Sequence, residues 1–153
     1  METLITIAVI CLIVGFILHR SADKSEKQFD NRPSVITNPA KDLYPNQKYA
    51  IVGLLASVQG ASAITAFDED VNKMVQSTIF SLGLSMSDVE RYLKGSVGRN
   101  PDQEFDRVIA SLKEIRDRNY LFGLRQKCMQ IANMTGNPDT IEMVNIVFRE
   151  LGF

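Results

Sequence analysis

Apolar positions along this chain follow two regimes. From Leu4 to Leu18 the sequence reads LITIAVICLIVGFIL, fifteen residues without a charge and with Thr6 as the one polar side chain. From Lys48 to Phe153 apolar residues recur every three or four positions, the period of amphipathic helices. Between them, from Ser21 to Gln47, neither pattern holds.

The first regime predicts a membrane anchor over residues 1–20. With Thr3 and His19 the uncharged run reaches 17 residues, the short end of what spans a bilayer. Its lipid-facing candidates are Leu4, Ile5, Ile7, Val9, Ile10, Leu12, Ile13, Val14, Phe16, Ile17 and Leu18. A cleaved signal peptide would need a basic start and a small-x-small cleavage site. Here Glu2 is the only residue between the initiator and Thr3, and the best cleavage candidate, ending at Ala22, has Arg20 two positions earlier. Lys and Arg near a span set its topology, and Arg20, Lys24 and Lys27 all follow the run. The expectation is a single-pass protein of the cell (inner) membrane, N-terminus outside and C-terminal domain cytoplasmic. Gly15 is the only glycine of the run, so no small-xxx-small dimerisation face forms and the span reads as a passive tether.

The middle stretch, 21–47, holds Pro33, Pro39 and Pro45, and the residue before a proline is pushed away from helical geometry. It predicts an irregular linker able to extend at about 3.3 Å per residue. Val35, Ile36, Leu43 and Tyr44 are its candidates for packing back on the domain.

The second regime, 48–153, predicts an all-α bundle of about six helices. Ile51, Leu54, Leu55 and Val58 form a stripe that Val52 and Ala56 widen, so this first helix belongs in the middle of the bundle. A second stripe runs Phe67, Val71, Met74, Val75, Thr78, Ile79, Leu82, with Gly83 as a left-handed stop. Ser87 to Glu90 fits a capping box opening a third helix, which turns Val89 and Leu93 inward, with Val97 extending the stripe before the glycine-rich KGSVGRN. Pro101 and Asp102 open a fourth, with Phe105, Val108, Ile109, Leu112 and Ile115 inward. The fifth uses Leu121, Leu124, Cys128, Ile131 and Ala132. Asn137 caps the sixth, Pro138 takes its first position, and its stripe is Ile141, Val144, Val147, Phe148, Leu151, closed by Gly152. About 105 residues suffice for one self-contained core.

The second and sixth helices repeat one another at an offset of 69 residues. Met74-Val75-Gln76 matches Met143-Val144-Asn145, Leu82-Gly83-Leu84 matches Leu151-Gly152-Phe153, Asp70 matches Asp139 and Ala63 matches Ala132. This layout of related helix pairs around a middle pair resembles the TerB-like family of tellurite-resistance proteins over about the last 105 residues. The family's half-signature is an Ala-Asp-Gly turn, a helix-opening acid and a closing Leu-Gly. Here the Ala, the acid and the Leu-Gly stand in both halves, while Ile64 and Asn133 replace the turn Asp and Thr65 and Met134 replace the turn Gly. The resemblance implies a divalent-cation site at the acidic turns. Asp70, Asn133 and Asp139 are the polar candidates left at the matching positions, with too little charge for a hard cation, so no metal is expected.

Composition narrows the function without naming it. A formal net charge of -1 argues against a nucleic-acid binder. Cys11 and Cys128, far apart and without partners at ligand spacing, read as reduced packed thiols. His19 is the single histidine and sits at the membrane edge, which excludes Ser-His-Asp or Cys-His catalysis in the domain. Asp68, Asp70 and Asn72 mimic the start of an EF-hand loop, but Lys73 and Ile79 stand where its Gly and Glu belong, so the acids read as helix N-terminal charges. Gly95 and Gly98 follow no strand and form no phosphate loop. The basic run Lys113, Arg116, Arg118, Arg125, Lys127 is either a solvated face or a contact patch for an acidic partner or anionic headgroups. With no catalytic residues and no cofactor expected, the leading reading is a membrane-anchored, non-enzymatic protein–protein interaction or scaffold module in a membrane-associated complex. The competing readings are a TerB-like divalent-metal-binding or stress-response protein and, last, an enzyme with an unrecognised site.

Overall fold

The computed structural model describes residues 39–153. The run Leu4–Leu18, the topology residues Arg20, Lys24 and Lys27, and Val35 and Ile36 lie outside the described residues. Within them, no helix is long and apolar enough to cross a membrane.

A 3-10 turn over Pro39–Asp42 leads into seven α-helices: α1 (Pro45–Gln59), α2 (Ala63–Ala66), α3 (Glu69–Ser81), α4 (Met86–Ser96), α5 (Pro101–Lys113), α6 (Arg118–Thr135) and α7 (Pro138–Glu150). There is no strand among the described residues. The bundle is organised around α1, which packs against α3, α4, α5 and α6, while α6 and α7 form a hairpin and α2 bridges α3 and α6. The central place of α1 follows from its sequence: Ala50, Ile51, Val52, Leu54, Leu55, Ala56 and Val58 are all buried, apolar over most of the circumference. Ahead of it, Ala40 is buried and Leu43 packs on the core, whereas Tyr44 is exposed. Asn46 near the start of α1 donates to Ser111 Oγ (3.5 Å) and Glu114 Oε2 (3.2 Å) at the end of α5, so α1 and α5 run antiparallel.

The helix starts obey local capping chemistry. Asp68 accepts from the Val71 N–H at 2.9 Å, Asp117 from Tyr120 at 2.9 Å, Asn100 from Asp102 at 3.0 Å and Asn137 from Asp139 at 2.9 Å. Pro101 and Pro138 occupy the first turn, where a missing N–H costs nothing. The box that opens α4 lies two residues earlier than the pattern suggests: Ser85, not Ser87, accepts from the Asp88 N–H (3.2 Å), and Asp88 returns the bond to the Ser85 N–H (3.3 Å). Both Ser-x-x-acid frames fit the rule. Choosing the earlier one lets α4 begin at Met86.

Two further expectations change. A seventh helix exists, the single turn α2, too short to leave a periodic trace. It is set by Ser62, which caps it, and by Thr65, whose buried hydroxyl donates to the Gln59 carbonyl at 2.8 Å. Phe67 and Phe105 are not inward: Phe67 precedes the Asp68 cap and is 57% exposed, and Phe105 lies on the flank of α5 at 37%. Val97, past the end of α4, is likewise exposed.

Helices α3 and α7 match position for position at the 69-residue offset. Both have 13 residues, with caps at Asp68 and Asn137, and both close on a glycine of positive φ, Gly83 at 74° and Gly152 at 82°. The buried set Val71, Val75, Thr78, Ile79, Leu82 recurs as Thr140, Val144, Val147, Phe148, Leu151.

Candidate functional site

An apolar recess lies between α1, α4 and α5, with α7 behind. It is a groove of about 120 Å³ whose walls include Gly53, Tyr92, Val97, Phe105, Val108 and Met143. Its floor exists because position 53 lacks a side chain: a Cβ there would stand 3.2 Å from the Tyr92 hydroxyl, so the glycine lets that ring lie across α1. Tyr92 is also stacked on Tyr49 with centroids 4.9 Å apart and planes at 22°. Ser96 donates its hydroxyl to the Tyr92 carbonyl at 2.9 Å, one turn back on α4.

The rim is charged, with one carboxylate shared by two arginines. Glu104 accepts from Arg99 Nη1 at 3.0 Å and from Arg107 Nη1 at 3.1 Å. Desolvation, reinforced by the Glu104 charge, raises the Tyr92 phenol above its ordinary range, so it stays neutral. A recess of this size takes about one large apolar side chain, since a cavity of roughly 150 Å³ accommodates benzene. It offers binding by apolar burial rather than acid–base chemistry, for which no tunable cluster lines it.

The sequence-nominated residues fall elsewhere. Asp70 and Asp139 are exposed in the first turns of α3 and α7, and Asn133 is exposed on α6. Among the described residues no three His, Cys, Asp or Glu side chains gather into a cation-sized group. Cys128 is fully buried in α6, and burial pushes its thiol up to about 12. The five-residue basic run is not one patch. Lys113 pairs with Glu150 at 3.6 Å, and Lys127 donates to Thr78 Oγ1 at 3.2 Å. Arg118 donates to the carbonyls of Leu151 and Gly152, each at 2.8 Å, and stacks 3.9 Å over the Phe153 ring. Arg116 and Arg125 have no ion pair among the described residues. No protein-family profile, curated protein sequence or solved structure matches the chain.

Sequence reasoning missed the groove because four helices build it. The nearest signal was Phe105, an aromatic at an otherwise polar helix start, which periodicity assigned to the core.

Proposed function

We propose that this protein is a membrane-tethered, non-enzymatic interaction module that holds a partner protein at the cytoplasmic face. The observation that carries the reading is the groove beside Gly53, apolar, ion-paired at its rim and sized for one side chain. The occupant is an apolar anchor residue on a helical or extended segment of the partner, the arrangement in which a few buried side chains supply most of the binding energy. The tether is the run Leu4–Leu18, oriented by Arg20, Lys24 and Lys27, with the linker giving the bundle reach. A pull-down from solubilised membranes should return one stoichiometric partner with the wild-type chain and lose it with Phe105→Glu. A monodisperse monomer with no partner would sink the reading.

The TerB-like resemblance stands beside this proposal as a statement of ancestry. The matched lengths, caps and glycine stops of α3 and α7 support a duplicated helix pair. They lend nothing to a metal-binding role, and an unchanged melting midpoint on adding divalent cations would count against that role.

A further inference from the structure

Positive charge is distributed unevenly over the described residues. On α3, α4, α5 and α7 each Lys and Arg is ion-paired with a carboxylate, from Lys73 with Glu69 to Arg149 with Glu142. Two helices are exceptions: α1, with Lys48 alone, and, more strongly, α6. Helix α6 carries Arg118, Arg125 and Lys127 and, over 18 residues, no Asp or Glu. None of these three cations meets a carboxylate among the described residues, nor does Arg116 just ahead of the helix. Yet the whole chain has a net charge of -1.

Helical geometry aligns part of this surplus. Arg118, Phe122, Arg125 and Met129 stand at i, i+4, i+7 and i+11, one row along the helix. Phe122 in that row is 48% exposed. Beside the row the exposed positions are amides, among them Gln126 and Gln130. The result is a face about 17 Å long, at 1.5 Å per residue, with cations, amides and one exposed aromatic, and with no acid on the helix itself beyond its cap, Asp117. Cations around an aromatic, on a helix face without acids, are the composition of a membrane-interface contact. The face contributes no wall to the groove.

We infer that this face of α6 rests on the anionic headgroups of the bilayer to which the chain is tethered, Arg125 toward phosphates and Phe122 at the headgroup boundary, while Arg118 stays clamped to the end of α7. This rests on the membrane-tether reading above. The contact is weak by itself, but the tether keeps α6 at a high effective concentration near the surface, so a few charges suffice. Lipid then occupies α6 while the groove stays open to a protein.

The chain has no tryptophan, so Phe122→Trp in the full-length protein gives a single reporter at the contact. The probe is reconstitution into vesicles of phosphatidylcholine with or without phosphatidylglycerol, some carrying brominated acyl chains. Emission should shift to the blue and be quenched about fivefold more in the anionic vesicles, the gain expected of a single cation near the surface. High salt should reverse the effect. Gln126→Glu with Gln130→Glu, at exposed positions that leave the core untouched, should abolish it. Equal quenching in both vesicle types, quenching that survives the two added acids, or a response to polyglutamate but not to lipid would each overturn the inference, the last in favour of an acidic protein partner. Flotation separates the underlying reading: failure to float with neutral vesicles removes the tether, while salt-sensitive quenching on anionic vesicles would still support the α6 contact.

Discussion

Truncating Arg118 to Ala is expected to destabilise the fold by about 1–2 kcal/mol. The guanidinium reaches 33 residues along the chain to the end of α7, donating to the Leu151 carbonyl at 2.8 Å, and it donates to Gly152 at the same distance. Those carbonyls are helix-end acceptors with no partner inside the helix. A hydrogen bond from a charged donor contributes roughly 1.5–3 kcal/mol when shielded, and less here because Arg118 is exposed and water replaces part of each bond. Its position 3.9 Å over Phe153 adds about 0.5–1 kcal/mol at an exposed site. Ordering a long side chain costs about 1.5–2 kcal/mol in return. Urea titration of the full chain in mild detergent, followed by circular dichroism, measures the difference. Arg118→Lys should recover less than half of it, because an ammonium lacks the planar fork that serves two carbonyls. A cycle with Phe153→Ala should show coupling of about 0.5–1 kcal/mol. If Arg118→Ala stays within about 0.5 kcal/mol, the range of an ordinary surface change, the clamp is not formed in solution.

Other predictions concern caps, buried groups and pH. Ser85→Ala should cost about 1 kcal/mol in the same titration and Ser87→Ala close to nothing, the reverse ranking if the box sat on Ser87. Gly83→Ala and Gly152→Ala should each cost about 1 kcal/mol, because both sites require positive φ. In a Cys11→Ser background, Cys128 should resist a thiol reagent at pH 8 until the chain unfolds; labelling at the rate of a free thiol would contradict its burial. Bonds from the Ser85 hydroxyl and N–H hold the Asp88 carboxyl below its usual range. Stability from this group is therefore present above about pH 4 and lost as pH falls through the lowered folded value, and Asp88→Asn should flatten that acid limb. The raised Cys128 thiol and Tyr120 phenol, each at about 12, work the other way, with stability falling as pH rises past 9–10 because only the unfolded chain ionises there.

How much was legible depended on range. Asn137 and Pro138 announced α7 because a cap acts on an N–H two residues away. The stripe of α1 announced its central place because burial on all sides needs apolar residues on all sides. Ser85 and Ser87 show where local rules stall: both frames satisfy them, and the start of α4 selects between them. Phe105 shows the same for packing. Its spacing to Ile109 and Leu112 is that of a core residue, yet it lies at the groove, whose opposite wall comes from residues about 50 positions earlier. Arg118 read as one cation of a patch, because nothing local reveals an acceptor 33 residues on. The acid-free run of α6 was readable, but that α3, α4, α5 and α7 neutralise their cations emerges only from side-chain placement.

The central claim is that the groove holds a partner at the membrane. It is tested most directly by placing a photo-crosslinking phenylalanine analogue at position 105 of the full chain in native membranes, washing with alkaline carbonate, and irradiating the pellet. The account predicts that the chain stays in the pellet and yields a single crosslinked species with another protein, lost when Gly53→Leu fills the groove. A chain released by carbonate, or one that gives the same crosslinks with the groove filled, would contradict it.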